Sequence, residues 1–254
     1  MNASPLTVTA PQLRPPFRYI AIEGPIGVGK TSLARRLADR WSMQQLFERP
    51  QDNPFLERFY RDTTRHALAT QLHFALQRAH QAQEVAAAYA AGTPLIADFM
   101  TEKNDIFARL TLPEDEWQLY RALAARIDAS SNAGNGISNS GSGTTGTIRT
   151  ASDGSAAAAP SPDFVVYLQA SPEVLFSRIQ KRALPMELQI SDAYLHALCN
   201  AYNEFFYHYD RTPVLTVNAE HLNPLDSDAD LALLVERMET MRGRKEFFVK
   251  GTSL

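Results

Sequence analysis

The sequence has little of what a secreted or membrane-embedded protein needs. It contains a single cysteine, Cys199, so no disulfide bond can form within the chain, and a free thiol suits a reducing compartment. The apolar surroundings of Cys199 predict a small core residue. The apolar stretch from Val85 to Ala97 is short and is interrupted by Gly92 and Pro94, whereas a membrane helix needs about 20 apolar residues. No membrane partner is therefore expected.

The chain also carries little net charge. Its formal charge is −3 over 254 residues, which argues against nucleic acid or an anionic membrane as the main partner. Residues 1–16, MNASPLTVTAPQLRPP, lack a basic start followed by an apolar core. We therefore expect a flexible tail at 1–16, no signal peptide and a cytoplasmic protein.

Short apolar segments alternate with helical patterns along the rest of the chain. With 44% hydrophobic residues the chain has enough material for a core. The alternation predicts one α/β domain over 17–254, with a five-stranded parallel sheet and helices on both faces. The predicted strands lie at 19–22, 44–47, 94–98, 163–168 and 213–217. The last predicted helix, 231–241, is followed by a basic tail.

One segment departs from this alternation. Residues 128–162 consist mainly of Ser, Gly, Ala, Asn and Thr, with scarcely an apolar side chain. Such a composition buries too little surface to offset the entropy of ordering. It predicts a flexible low-complexity insertion that follows a helix at 113–127. A functional lid or a partner-binding loop is a less favoured alternative.

The segment between the first predicted strand and the first helix matches the phosphate-loop pattern G-x-x-x-x-G-K-[ST]. Glycines let backbone N–H groups turn toward an anion, and the N-terminus of the following helix adds partial positive charge. Lys30 is expected to reach the β- and γ-phosphates, and Thr31 to bind Mg²⁺. The predicted triphosphate-binding residues are Gly24, Pro25, Ile26, Gly27, Val28, Gly29, Lys30, Thr31 and Ser32.

Two acidic residues follow predicted strands. Glu48 ends the second strand and Asp98 ends the third, at the edge where open α/β sheets bind ligands. Glu48 could accept a proton from a hydroxyl nucleophile, or it could be an exposed acid at a strand end. Asp98 could bind a metal ion or cap a helix.

Two helices carry further candidates. Gln71, Phe74 and Arg78 share one face of a long predicted helix, which favours a binding pocket over a solvated surface. Arg178 and Arg182 lie four residues apart on a later helix. Guanidinium groups suit the charge of a transferring phosphoryl group, although a solvated helix face fits the same spacing.

Together these motifs resemble the deoxynucleoside kinase family, most closely its bacterial purine-deoxynucleoside branch. The resemblance covers most of the chain and includes the start I-E-G-x-I-G-x-G-K-T-[ST], at residues 22–32. It implies a P-loop enzyme that transfers the γ-phosphoryl group of ATP to the 5′-hydroxyl of a deoxynucleoside, with Mg²⁺ as cofactor. By the same analogy it implies a homodimer.

The resemblance also implies roles for individual residues. Glu48, which precedes Arg49-Pro50, matches the general base of the family. Tyr60 matches a residue that contacts the sugar, Gln71 one that reads the base, and Glu187 one that binds the 3′-hydroxyl. The remaining implied site residues are Arg78 in the base pocket, Arg178 and Arg182 in a catalytic lid, and Asp98 with Thr31 at Mg²⁺. Phe74, on the same helix face as Gln71 and Arg78, is a further candidate for the pocket, although simple packing could account for both Phe74 and Tyr60.

Some positions depart from the family pattern. The third strand of the family often ends in an acid followed by Arg-Ser, whereas this chain has Asp98-Phe99-Met100. Lys103 is a candidate replacement for the missing arginine. A second lid arginine is Leu184 here, and an aspartate of the base pocket would fall within 103–105. These departures leave the base preference open.

Two other functions share the phosphate loop. A thymidylate-type nucleoside monophosphate kinase would carry an Asp-Arg-Tyr motif after the third strand, where Asp98-Phe99-Met100 stands. A nucleotide-dependent switch or interaction module would carry D-x-x-G and N-K-x-D motifs, and neither is found. Both alternatives are therefore less favoured than a deoxynucleoside kinase.

Overall fold

Six parallel strands form one sheet in the computed structural model, which describes residues 15–133 and 160–251. The strands are β1 (Tyr19–Glu23), β2 (Gln44–Leu46), β3 (Leu95–Ala97), β4 (Phe164–Gln169), β5 (Val214–Asn218) and β6 (Lys245–Phe248). The helices are α1 (Lys30–Trp41), α2 (Leu56–Arg61), α3 (Thr63–Ala90), α4 (Lys103–Thr111), α5 (Glu114–Ala133), α6 (Pro172–Arg182), α7 (Asp192–His208) and α8 (Asp228–Thr240).

The order of the strands determines where a ligand can bind. It is β2-β3-β1-β4-β5-β6, so β1 lies near the centre with β3 on one side and β4 on the other. The carboxyl ends of β1, β2 and β3 are therefore neighbours. The segments that follow these three strands carry the phosphate loop, Glu48 and Asp98, as expected for an open parallel sheet.

The predicted number of strands is wrong. β6 pairs with β5, with Val214 opposite Lys245 and Val217 opposite Phe248. Its residues are alternately exposed and half-buried, as on an edge strand, so they form no apolar run. The segment read as a basic tail is therefore the sixth strand, and pairing with the backbone of β5 defines it.

Helices cover both faces of the sheet, as predicted. Neighbouring residues of β1 point to opposite faces of the sheet. Ile20 lies in the core cluster with residues of α1, α6 and α8, and Ala21 lies in the cluster with residues of α3, α4 and α7. Both residues are fully buried. Leu33 and Leu37 of α1 are also fully buried, and each contributes about 1.5–3 kcal/mol of hydrophobic stabilisation. The first turn of α1 is thereby fixed behind the phosphate loop.

α3, which the sequence pattern predicts from about 65 to 89, is slightly longer in the structure and carries an unusual buried face. It spans 28 residues, and its buried side chains are mostly small or polar, among them Thr70, Gln71, Arg78 and Gln81. Buried polar groups need partners, which indicates that this face lines a polar site. Within the described residues no helix is long and apolar enough to cross a membrane.

Cys199 lies in α7 and is 6% exposed, packed in the core cluster that includes α1 and α8. Burial raises the pKa of its thiol to about 11, so the thiol is protonated at neutral pH. This confirms the predicted role as a small core residue.

The predicted insertion was expected to begin at residue 128, which is too early in the chain. α5 continues to Ala133, so residues 128–133 are helical. At the other end, the Pro162 carbonyl accepts a hydrogen bond of 3.0 Å from the Thr212 hydroxyl. The rest of the predicted insertion, 134–159, lies outside the described residues, as does most of the predicted tail at 1–16.

Candidate active site

The phosphate loop connects β1 to α1 through three glycines with positive φ angles. These angles are +149° at Gly24, +84° at Gly27 and +104° at Gly29. Gly29 is also the N-cap of α1, and no side chain of the described residues caps that end of the helix. The N–H groups of the first turn are therefore free to bind an anion, as the motif predicts.

Lys30 and Thr31 open α1 beside the loop. The ammonium of Lys30 donates to the carbonyls of Gly24, at 2.7 Å, and Pro25, at 3.1 Å, which holds it over the loop. Burial lowers the pKa of Lys30 to about 8, and Lys103 adds to this shift. The hydroxyl of Thr31 donates to the carboxylate of Asp98. The two predicted metal ligands are thus in direct contact.

Gly24 is expected to be the least replaceable glycine of the loop. A Cβ at this position would lie 2.4 Å from the carbonyl oxygen of Leu168, besides straining a φ of +149°. We expect Gly24→Ala to lower the free energy of unfolding by about 3 kcal/mol, measured by urea denaturation. Gly92→Ala is the control, because φ is +76° there and nothing lies within 4 Å. It should cost about 1 kcal/mol. Equal losses would mean that the Leu168 carbonyl is free to move.

Glu48 lies just after β2 between two cations. One carboxylate oxygen accepts from Arg78, and the other accepts from Lys103 at 2.7 Å. The side chains of Arg78 and Lys103 are 4% and 3% exposed. Burial alone would raise the pKa of Glu48, but Lys103 and then Arg78 outweigh it and hold the pKa at about 2. Glu48 is therefore a fixed, ionised carboxylate.

The backbone around Glu48 is also fixed from several sides. Its N–H donates to Asp98 at 2.8 Å. The amide of Gln81 donates to the Phe47 carbonyl at 2.9 Å, and that of Gln77 to the Arg49 carbonyl at 3.0 Å. These two glutamines lie one turn apart on α3 and hold the chain on either side of Glu48.

A cavity of about 130 Å³ opens beside Glu48 and is lined by the predicted acceptor residues. Gln71 is 2% exposed there, and its amide donates to the Thr111 hydroxyl at 3.3 Å. The guanidinium of Arg78 lies 5.3 Å from the centre of the Phe74 ring. The predicted stripe of Gln71, Phe74 and Arg78 therefore faces one pocket.

The opposite wall of this cavity is aromatic and acidic. The ring of Tyr60 packs 5.3 Å from Phe59 and 6.5 Å from Tyr194. Burial raises the pKa of Tyr60, with Tyr194 and Glu187 adding to the shift. Glu187 accepts from Arg182 across the turn after α6. All of the predicted acceptor residues thus line one cavity, together with Tyr194, which the sequence did not single out.

A second cavity, of about 440 Å³, lies on the other side of the phosphate loop. Its volume is within the range of small-molecule sites. Ser32, Arg178 and Arg182 line it, with the segment 219–226 opposite. Arg178 donates to the Ala219 carbonyl at 2.7 Å, and Arg36 holds the same segment through the Leu225 carbonyl at 2.8 Å. Gly27 and Arg182 line both cavities, so the two meet at the loop.

Two groups to which the sequence analysis assigned no role, Glu23 and Asn104, also lie at the site. Glu23, at the end of β1, is fully buried and accepts from the Tyr202 hydroxyl at 2.8 Å and from the Met100 N–H at 2.9 Å. Arg78, which lines the smaller cavity, donates to Asn104, whereas Asp105 lines a separate surface groove. The neutral amide, and not the neighbouring aspartate, is therefore the partner of Arg78.

Comparison with known families identifies a match over most of the chain. The model of a family described as deoxynucleoside kinase matches residues 20–135 and 147–241. The chain is 30% identical to deoxyguanosine kinase of Bacillus subtilis over 185 residues, which is 72% of this chain and 76% of the relative. It is 25% identical to deoxyadenosine/deoxycytidine kinase of the same organism over 233 residues, 89% of this chain and 94% of the relative.

Solved structures show a similar fold. Deoxyadenosine kinase from M. mycoides with bound dATP matches with a TM-score of 0.65 and 20% identity, over 88% of this chain and 100% of that one. The same enzyme with bound dCTP gives a TM-score of 0.64 at 19% identity, with the same coverage.

Proposed function

The chain belongs to the deoxynucleoside kinase family, and we propose that it phosphorylates the 5′-hydroxyl of a purine deoxynucleoside with ATP as donor. The observation that carries this proposal is the meeting of two cavities at Gly27 and Arg182, with Glu48 in the wall of the smaller one. ATP would occupy the larger cavity, and its phosphates would lie in the loop. The acceptor would occupy the smaller cavity, with its 5′-hydroxyl beside Glu48.

The donor side supplies charge. The loop N–H groups and Lys30 would bind the phosphates, while Arg178 and Arg182 would stabilise negative charge as the phosphoryl group transfers. The contact between Thr31 and Asp98 offers hard oxygen ligands, which fits Mg²⁺. Mg²⁺ would be held by Thr31 and Asp98 and would neutralise phosphate charge.

The acceptor side supplies the base and the selection of substrate. Glu48 would accept the proton of the 5′-hydroxyl as its oxygen bonds to the γ-phosphorus, while the bond from that phosphorus to the β–γ bridging oxygen breaks and ADP leaves. Tyr60 and Glu187 would bind the sugar. Because the Gln71 amide N–H points to Thr111, its carbonyl oxygen and second N–H would read the base. The purine preference is supported by the relatives named deoxyguanosine and deoxyadenosine kinase.

An acceptor panel tests this proposal. ATP consumption is measured with the four deoxynucleosides, with adenosine and guanosine, and with deoxynucleoside monophosphates. We expect the highest kcat/KM with deoxyguanosine or deoxyadenosine and little turnover of the monophosphates. Preferential phosphorylation of a monophosphate would instead favour a nucleotide kinase, and would contradict the proposal.

We also propose that the protein is cytoplasmic and homodimeric. The buried, protonated thiol of Cys199 is compatible with a reducing compartment. The family resemblance supports the dimer, as do Leu76 on α3 and Leu119 on α5, each 49% exposed on helices that pack together. Sedimentation velocity would measure the mass, and a monomer at micromolar concentration would contradict the dimer.

A further inference from the structure

The first residue of α4, Lys103, is an unusually buried cation. Its side chain is 3% exposed, and its ammonium lies 2.7 Å from Glu48 and 3.7 Å from Glu23. Lysine is seldom fully buried unless it is paired. The two residues that follow Asp98, Phe99 and Met100, are apolar and buried, so they bring no charge to this place. The positive charge beside Glu48 and Glu23 at this place therefore comes from Lys103 of α4.

Charge in this part of the site is balanced. Three carboxylates and three cations form one charged cluster here. The carboxylates are those of Glu23, Glu48 and Asp98, and the cations are Lys30, Arg78 and Lys103. Arg78 also donates to Asn104, and Lys30 donates to the loop carbonyls. Among the described residues both ion-pair partners of Lys103 are carboxylates of the cluster, and its ammonium also lies 6.0 Å from the centre of the Phe107 ring. Its role is therefore directed at Glu48 and Glu23.

We infer that Lys103 is a positioning residue for phosphoryl transfer, acting through Glu48. This inference rests on the proposed function. The ammonium fixes one carboxylate oxygen, so that the carboxylate keeps one orientation toward the 5′-hydroxyl. Arg78 fixes the other oxygen from α3. A carboxylate held from two helices does not rotate away when the acceptor enters, and this preorganisation keeps the nucleophile in line with the phosphoryl group.

The first test compares Lys103→Met with Lys103→Arg. The Met side chain has a similar size and no charge, and we expect kcat to fall on the order of 10²-fold with KM for the deoxynucleoside changed much less. Lys103→Arg retains the charge, and its kcat should be at least about tenfold higher than that of Lys103→Met. Unchanged kcat in Lys103→Met, or loss confined to KM, would overturn the inference.

A double-mutant cycle separates positioning from a general structural effect. If Lys103 acts through Glu48, adding Lys103→Met to Glu48→Gln should lower kcat by less than about threefold. A full further loss in that background would overturn the inference. Wild-type turnover is measured in the same assay. If the wild type and Lys103→Met are equally active, only the inference about Lys103 is overturned. If the wild type is active on no deoxynucleoside, the proposed function is overturned as well.

Removal of Lys103 leaves Glu23 buried without its nearest cation, so Lys103→Met could fail to fold. Lys103→Met combined with Glu23→Gln restores the balance of charge and is compared with Glu23→Gln alone. We expect a melting temperature close to that of Glu23→Gln and kcat on the order of 10²-fold below it. Equal kcat in these two proteins would overturn the inference.

Discussion

Lys30→Met is expected to lower kcat on the order of 10³-fold while the protein keeps its melting temperature within a few degrees. The ammonium lies over the loop on two backbone carbonyls and supports no part of the hydrophobic core. In the proposed reaction it neutralises charge that develops on the transferring phosphoryl group. The loss should therefore fall on kcat more than on the binding of the deoxynucleoside.

The control for Lys30→Met is Arg40→Met, at the exposed last turn of the same helix. It removes one positive charge from α1 without touching the loop and should leave kcat within about twofold, as is usual for surface substitutions. Circular dichroism and calorimetry establish that both variants are folded. Substantial turnover by folded Lys30→Met would contradict the assignment of this loop as the phosphate site.

Glu48→Gln is expected to lower kcat by about 10²–10⁴-fold, with KM for the deoxynucleoside changed much less. The amide keeps the shape of the side chain but cannot accept the proton of the 5′-hydroxyl. It also leaves Arg78 and Lys103 beside a neutral group, so we expect some loss of thermal stability. The kcat and KM values are obtained from steady-state kinetics with saturating ATP.

Glu57→Gln is the matched control for Glu48→Gln. Glu57 lies on α2, where its side chain is 57% exposed and paired with Arg61. The same chemical change there should alter neither kcat nor KM by more than about twofold. A rise in KM with kcat unchanged in Glu48→Gln would show that Glu48 binds the acceptor and that the base lies elsewhere.

The parts of the site that the sequence predicts well are local. The phosphate loop lies within a few residues of the strand and helix that flank it, so a short pattern contains its whole context. Glu48 and Asp98 could be placed because the ends of apolar strands are readable and parallel strands bring those ends to one edge. Gln71, Phe74 and Arg78 share one helix, and helical spacing is sufficient to place them on one face.

The parts that the sequence left open depend on partners far along the chain. Lys103 meets a carboxylate 55 residues earlier, and only the packing of α4 against α3 decides that it, and not a residue beside Asp98, reaches Glu48. The partner of Arg78 is Asn104, because the helical register turns Asp105 toward the outer groove. Spacing alone left this choice within 103–105 open.

The sixth strand escaped prediction for a different reason. Edge strands bury few side chains, so their sequences need no apolar alternation, and KEFF has too little pattern to distinguish it from a charged tail. Its pairing depends on the exposed edge of β5, which is not visible in the sequence of β6 itself. Long helices were predicted better than this edge strand. The helix predicted at 231–241 spans Asp228–Thr240, whereas the helix predicted to end at 127 continues to Ala133.

The position of Gln71 and Arg78 on one helix has a consequence for the size of the acceptor. Both residues line the smaller cavity, and Arg78, which binds Glu48, lies seven residues further along α3 than Gln71. At about 1.5 Å per residue these two positions are separated by roughly 10 Å along a rigid rod. Under the proposed function, the fixed distance between these two positions on α3 therefore sets the length of the acceptor. An acceptor must match this distance to present its base to Gln71 and its hydroxyl to Glu48 at the same time.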